Sequence, residues 1–91
     1  MSVPLTVLMP VFNTIEYLDE AVASILQQQY EEYEFLIIDD GSTDGCWRRL
    51  QAYSDPRIRL FRNDTNEGLI ATLNKGLELA QGRYIARMDS G

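Results

Sequence analysis

The sequence predicts an α/β domain in which helices cover both faces of a mainly parallel, four-stranded sheet. Four short apolar runs alternate with three segments whose apolar residues recur every three or four positions, in the order β-α-β-α-β-α-β. The chain has 91 residues, of which 45% are hydrophobic, and this is enough to bury one modest core. We therefore expect a single domain over residues 1–91.

The first strand and the first helix are predicted from the N-terminal third of the chain. Residues 5–9 form an apolar run, and Pro10, which has no backbone N–H to donate, is expected to end this strand. Residues 14–29 follow as an amphipathic helix, with Asn13 or Thr14 as its N-cap. The apolar positions expected on its inner face are Ile15, Leu18, Val22, Ile25 and Leu26.

The middle third predicts a buried strand, a second helix and a strand at the edge of the sheet. Residues 34–39 are apolar on both faces, as expected of a central parallel strand. Residues 44–54 fit a short helix. In the strand that follows, Ile58 and Leu60 alternate with Arg59 and Phe61, which favours a more exposed strand at an edge of the sheet. The side chains expected to face the core are Trp47, Leu50, Tyr53, Ile58 and Leu60, with Arg62 in phase with the last two.

A third helix and a fourth strand complete the pattern. Asn66 is expected to cap a helix that runs through Gln81, and Gly82 supplies its stop signal before a strand over residues 83–89. The inner face of this helix is predicted to hold Ile70, Leu73, Leu77 and Ala80. Because strands joined by a helix of this length run parallel, all four carboxyl ends share one edge of a Rossmann-like three-layer α/β/α fold.

Two adjacent acids stand where the second strand reaches that edge, within the segment FLIIDDGSTDG. In open parallel sheets, ligands bind at the carboxyl ends of the strands. Since neighbouring strand residues face opposite sides, one of Asp39 and Asp40 is expected to face a ligand while the other orders the turn. Gly41 and Ser42 behind them favour a tight turn into the next helix.

Composition excludes several classes of function. Fourteen acidic residues against 8 basic ones give a net charge of −6, which argues against nucleic-acid partners and against anionic membrane surfaces. Without histidine and with one cysteine, Cys46, the chain forms no His/Cys zinc site and no internal disulfide. No apolar run approaches the roughly 20 residues that span a bilayer, so we expect no direct membrane insertion.

Four blocks, VLMPVFN, FLIIDDGSTDG, NEGLIATLNKG and GRYIARMD, resemble in their order and spacing the N-terminal half of the family 2 glycosyltransferases. The resemblance covers about residues 3–89 and implies a truncated GT-A fold. It also implies a parent enzyme that binds a nucleotide-diphospho-sugar, such as a UDP-sugar, and transfers the sugar with inversion. Because polysaccharide-building members of the family work at the inner face of a membrane, a cytoplasmic location is implied as well.

The family pattern also assigns roles to residues of this chain. Pro10 and Phe12 match positions along the nucleobase, and Asp40 matches the acid that accepts a hydrogen bond from the imide N–H of uracil. Asp39 would support the turn. The nucleotide-binding residues implied by the resemblance are Pro10, Val11, Phe12, Asn13, Asp39, Asp40, Gly41 and Ser42.

A divalent cation, Mn²⁺ or Mg²⁺, is expected for the intact enzyme, because a cation neutralises the diphosphate leaving group. Asp89 matches the first acid of the family's metal motif, whereas Gly91 stands where the family usually has its metal-ligating acid. The acid that acts as general base lies in the second half of the family's domain. We therefore expect no catalytic base in this chain, an inactive fragment, and possible self-association through an uncovered surface.

Two alternatives of other classes stay open on the sequence. Paired acids at a strand end also suit a receiver-like domain, although there the pair follows the first strand and here it follows the second. A non-catalytic α/β binding or assembly module is the other alternative. Asp39 and Asp40 could also be no more than a strand end and a helix cap.

Overall fold

The computed structural model describes residues 4–28 and 32–89, and its strands form one parallel sheet in the order β3-β2-β1-β4. The elements are β1 (Leu5–Val11), α1 (Ile15–Leu26), β2 (Tyr33–Asp40), α2 (Cys46–Gln51), β3 (Ile58–Asn63), α3 (Leu69–Leu79) and β4 (Tyr84–Arg87). The predicted element order and the parallel sheet are thus confirmed, and the four carboxyl ends lie at the same edge. No helix within the described ranges is long and apolar enough to cross a bilayer.

Strand β1 runs through Pro10, so the prediction that proline ends it was wrong. The N–H groups of Tyr84 and Met88 donate to the carbonyls of Pro4 and Leu8, which places the even-numbered backbone groups of β1 on the β4 side. Pro10 faces the same side, but β4 pairs with β1 only as far as Leu8. The N–H that proline lacks is therefore not needed for the ladder.

The sheet has a core on each face, and β2, with all eight residues buried, contributes to both. The face under α1 and α2 is the larger core, whereas α3 covers the other face. The larger core buries Val7, Met9, Val11, Leu18, Val22, Ile25, Tyr33, Phe35, Ile37, Cys46 and Leu50. The smaller core buries Leu8, Leu36 and Ile38, against which Phe61, Leu73, Leu79 and Ala80 pack.

Helix α1 places its inner face as predicted, but it is shorter than expected. Leu18, Val22 and Ile25 are buried, and Leu26 packs against them, whereas Ile15 in the first turn lies exposed. The helix ends at Leu26 rather than at residue 29, and its N-cap residue is Thr14, which makes no side-chain capping bond. Its first backbone N–H is instead accepted by Asp44 across the turn after β2.

Helix α2 and strand β3 follow the prediction in position and differ from it in length and detail. β3 is an edge strand, as predicted, and Ile58 and Leu60 pack against the larger core. Helix α2 ends at Gln51, three residues before the predicted end. Arg62 is exposed and does not join the core, and its guanidinium lies over the ring of Trp47, 5.5 Å from the ring centroid.

The inner face of α3 differs from the prediction. Ile70 and Leu77 are 77% and 55% exposed, and Thr72 and Gly76 lie buried against the sheet instead. A Cβ at Gly76 would lie 2.5 Å from Leu8 Cδ1, so the absence of a side chain lets the helix approach β1 closely. The apolar spacing alone could not reveal this, because a threonine and a glycine carry the contact.

Candidate functional site

A cleft of about 480 Å³ opens at the carboxyl edge of the sheet, between the end of β1, the end of β4 and the first turn of α3. It lies on the α3 face, because Pro10 and Asp40 share that face with Leu8 and Ile38 of the smaller core. The residues that line it are Pro10, Val11, Phe12, Asp40, Asn66, Gly68, Leu69, Arg87 and Asp89.

The structure divides the eight sequence-predicted nucleotide-binding residues into two groups. The first group lines the cleft and consists of Pro10, Val11, Phe12 and Asp40. The second group does not line the cleft and consists of Asn13, Asp39, Gly41 and Ser42. Asp39 and Asp40 thus point to opposite faces of the sheet, as expected of neighbouring residues in a strand.

The second group joins the turn after β1 to the turn after β2. The N–H of Asn13 donates to Ser42 Oγ at 2.9 Å, and the N–H of Thr43 donates to Asn13 Oδ1 at 2.8 Å. Asn13 has a φ of 50°, in the left-handed region where asparagine is one of the better tolerated residues. This reciprocal pair holds the two turns together, so the position of Phe12 depends on the turn after β2.

Asp39 acts inside this turn. Its side chain is fully buried, and its Oδ1 accepts the N–H of Ser42 at 3.1 Å. Its Oδ2 is buried without a hydrogen-bond partner among residues 4–28 and 32–89. The acid that the resemblance assigns to the turn therefore lies where it can order the turn and cannot reach the cleft.

Gly41 allows the turn after β2 to pass close to the loop that precedes α3. Its φ is 72°, and a Cβ built there would lie 2.5 Å from the carbonyl carbon of Thr65 and 2.6 Å from the nitrogen of Asn66. Both contacts are with backbone atoms, which cannot move aside as a flexible side chain can. Glycine is thus required at this position both for its conformation and for the space it leaves.

Asp40 lies at the centre of a hydrogen-bond network at the floor of the cleft. Oδ1 accepts Asn63 Nδ2 and the N–H of Glu67, each at 2.8 Å. Oδ2 accepts Asn66 Nδ2 and the N–H of Gly68, each at 3.0 Å. Asn66 therefore binds Asp40 and does not cap α3 as predicted, and Gly68, with a φ of 98°, occupies the N-cap position.

These bonds keep the Asp40 carboxylate charged. Burial by itself would raise its pKa, but the donations from Glu67, Asn63 and Gly68 outweigh burial and hold the pKa below its ordinary value. At neutral pH the floor of the cleft therefore carries an ionised carboxylate, that of Asp40, whose position is fixed by four hydrogen bonds.

A second layer of polar contacts fixes the donors of Asp40. Asn63 is almost fully buried, and its Nδ2 also donates to Thr72 Oγ1 at 3.0 Å, while Lys75 Nζ donates to its Oδ1. The ammonium of Lys75 also lies 3.6 Å from a carboxylate oxygen of Glu67. Through these contacts α3 and the loop before it are tied to the end of β2.

The opposite wall of the cleft carries an ion pair. Arg87 Nη2 donates to Asp89 Oδ1 at 3.2 Å, and the two side chains are 48% and 67% exposed. Asp89 does line the cleft, as the resemblance implies for a metal ligand, but its near neighbour is a cation. Ser90 and Gly91, which complete the sequence motif, lie outside the described residues.

The described residues contain no ready-made cluster of metal-ligating side chains. Nowhere in residues 4–28 and 32–89 do three or more carboxylate or thiol side chains converge as a group that could hold one. Of the two acids in the cleft, Asp40 already accepts four protein donors and Asp89 is paired with Arg87. The predicted Mn²⁺ or Mg²⁺ therefore enters no step derived below.

A family model described as glycosyl transferase family 2 matches residues 6–90, almost the whole chain. The chain belongs to glycosyltransferase family 2. The resemblance found in the sequence is thereby confirmed, and the receiver-like alternative has no support. In this family 2 chain the matched region contains every residue of the cleft.

Proteins related in sequence carry glycosyltransferase names. An uncharacterized glycosyltransferase of Haemophilus influenzae is 43% identical over 93 residues, which cover 99% of this chain and 37% of that protein. The Escherichia coli enzyme WfgD, named a UDP-Glc:alpha-D-GlcNAc-diphosphoundecaprenol beta-1,3-glucosyltransferase, is 34% identical over 85 residues, 93% of this chain and 34% of its own length. The family 2 chain thus spans about a third of the length of these relatives.

Solved glycosyltransferase structures share the fold. TarS of S. aureus in complex with UDP superimposes with a TM-score of 0.88 at 26% identity, over 96% of this chain and 27% of that one. The mannosyltransferase PcManGT of Pyrobaculum calidifontis in complex with GDP-Man and Mn²⁺ gives 0.85 at 26% identity, over 99% and 28%. The predicted Rossmann-like, GT-A type fold of this family 2 chain is therefore confirmed.

Four cleft residues were missing from the sequence-predicted set. These are Asn66, Gly68, Leu69 and Arg87. The first three belong to the NEGL segment, which is part of the family resemblance and of the predicted start of α3. A usable signal for Arg87 existed, since it lies two positions before Asp89 at the end of the last strand, and strand ends of a parallel sheet share one edge.

Proposed function

We propose that this chain is the nucleotide-binding part of an enzyme that transfers a sugar from a nucleoside diphosphate donor with inversion at the anomeric carbon. The observation that carries the proposal is the cleft at the carboxyl edge, which is lined both by the aromatic side chain of Phe12 and by the ionised carboxylate of Asp40. Membership of family 2 supports it, as do two structural neighbours whose complexes contain UDP and GDP-Man.

The nucleobase is proposed to pack along Pro10 and Phe12, and Phe12 is a cleft residue that is 45% exposed. Its ring N–H is proposed to donate to Asp40. Because both oxygens of Asp40 already accept two donors each, an incoming N–H replaces one of them. Asn66 is the exposed side chain among those donors, so its amide is the one expected to give way.

Asn13, Asp39, Gly41 and Ser42 are proposed to act on the nucleotide indirectly. They hold the turn that presents Phe12, through the bonds between Asn13 and Ser42 and between Asp39 and Ser42. Their replacement is expected to loosen the wall of the cleft without removing a ligand contact. A cytoplasmic location stays a prediction from the resemblance.

The test is an amide chemical-shift titration of the chain with UDP and, in parallel, with GDP, each with and without Mg²⁺. Saturable shifts are expected at residues 11–13, 40–43 and 66–69, and Asp40→Ala should abolish them. Glu20→Ala is the matched control, since Glu20 is an exposed acid on α1 and does not line the cleft. Absence of saturable shifts with either nucleotide at millimolar concentration would refute nucleotide binding and favour a binding or assembly module of another kind.

A further inference from the structure

The negative charge of the cleft opposes the binding of a diphosphate. Two of its lining residues, Asp40 and Asp89, are carboxylates, and the chain carries a net charge of −6. The phosphates of a nucleoside diphosphate are also negatively charged, so they would be repelled by these carboxylates. A positive group that reaches the phosphates has to be present in the cleft or to arrive with the ligand.

The first turn of α3 cannot supply it. Helix N-termini commonly bind phosphate through free backbone N–H groups. Here the N–H groups of Glu67 and Gly68 point at Asp40 at 2.8 and 3.0 Å and are already consumed by its carboxylate. Lys75 is directed at Asn63 and Glu67 behind the cleft and is not among the lining residues.

Arg87 is the basic side chain that lines the cleft in the described part of the chain. It pairs in register with Leu8 and therefore lies on the α3 face of the sheet, the same face as Pro10 and Asp40. Its guanidinium has five N–H donors, and within the described residues it donates through Nη2 to Asp89. The remaining donors are available at a position that is about half exposed to the cleft.

We propose that Arg87 contacts the diphosphate of the donor, with Asp89 holding the guanidinium at the mouth of the cleft. This inference rests on the proposed function and adds the group that recognises the phosphates. A guanidinium suits the task because its planar fork donates two parallel hydrogen bonds to phosphate oxygens, and it stays charged at any working pH. Asp89 is then a positioning residue for Arg87.

An ordinary surface ion pair is the competing explanation. Arg87 and Asp89 are two residues apart and both exposed, and such pairs contribute little to stability. That explanation predicts no difference between ligands with and without phosphate, whereas the proposal predicts a loss confined to phosphate-bearing ligands. The two are separable by comparing a nucleoside with its diphosphate.

The experiment measures dissociation constants of uridine and UDP, and of guanosine and GDP, for the wild-type chain, Arg87→Gln and Arg87→Lys. Arg87→Gln is expected to weaken diphosphate binding about tenfold or more, the usual loss for a hydrogen bond to a charged group, and to change nucleoside binding less than about twofold. Arg87→Lys should recover part of the affinity, because the charge remains while the fork is lost. The diphosphate affinity of the wild type should also fall with added salt more steeply than that of Arg87→Gln.

Arg83→Gln is the matched control, since Arg83 is exposed at the opposite end of β4 and does not line the cleft. It should leave all four constants unchanged. Unchanged diphosphate binding in Arg87→Gln, or an equal loss of affinity for nucleoside and diphosphate, would overturn the role of Arg87 and leave the proposed nucleotide binding intact. Failure of the wild type to bind UDP or GDP would overturn the proposed function and this inference together.

Discussion

Single residues at the carboxyl edge carry two kinds of task, and the neighbouring Asp39 and Asp40 illustrate both. Asp40 turns its carboxylate to the cleft and gathers four donors, whereas Asp39 turns inward and orders the N–H of Ser42. The alternation of a strand predicted that the two would diverge. It could not predict the partners of Asp40, which come from residues 23 to 28 positions further along the chain.

Gly41→Ala is expected to destabilise the chain by about 2–4 kcal/mol, because both the positive φ and a backbone clash oppose a Cβ there. Gly45→Ala is the matched control. Its φ is 97°, but a Cβ there meets nothing within 4 Å, so about 1 kcal/mol of conformational strain is expected. The measurement is urea unfolding of both variants against wild type, and equal losses at the two positions would refute the role of the close approach.

At the scale of elements, the positions of strands and helices were predictable from the spacing of apolar residues, whereas contacts made by small or polar residues were not. Residues 35–38 of β2 form an unbroken apolar run, which correctly predicted a central strand. The inner face of α3 was assigned to Ile70 and Leu77 because they are apolar, yet Thr72 and Gly76 face the sheet. Close helix–strand packing selects for a small residue, and hydrophobic periodicity does not register it.

Gly76→Ala tests this packing. Alanine favours a helix over glycine by about 1 kcal/mol, yet we expect a net destabilisation of about 1–3 kcal/mol because its Cβ would overlap the buried Leu8 side chain. In a Leu8→Ala background Gly76→Ala should become stabilising, because the Leu8 atoms that obstruct the new Cβ are gone and alanine favours the helix more than glycine does. The measurement is a double-mutant cycle of unfolding free energies, and additive effects would contradict the close contact.

At the scale of the whole molecule, the last strand and the outer side of α3 leave apolar surface exposed. The side chains concerned are Leu69, Ile70, Leu77, Tyr84, Ile85 and Met88. β4 is also an edge strand, with β1 as its neighbour and no second one among the described residues. The sequence could not locate this surface, because exposure depends on which strand lies at the edge and on how α3 is rotated.

The chain expressed alone is expected to self-associate through this surface as its concentration rises. Unpaired edges and apolar patches favour association, and the net charge of −6 opposes it only in part. Ile70→Lys combined with Tyr84→Lys should shift sedimentation towards the monomer, whereas Tyr17→Lys, at an exposed position on α1, should not. A monomer at every concentration in the wild type would rule out self-association.

Cys46 is the first residue of α2 and lies buried in the larger core. Its burial makes the reactivity of its thiol a measure of local opening. Burial, reinforced by the bond to Asp44, raises the pKa of its thiol to about 11, so hardly any thiolate exists at neutral pH. Because Cys46 is the sole cysteine and is buried, a thiol reagent can react with the chain only when α2 separates from the sheet and exposes this thiol. The rate of labelling therefore measures how often α2 and the turn that precedes it open locally in the native protein.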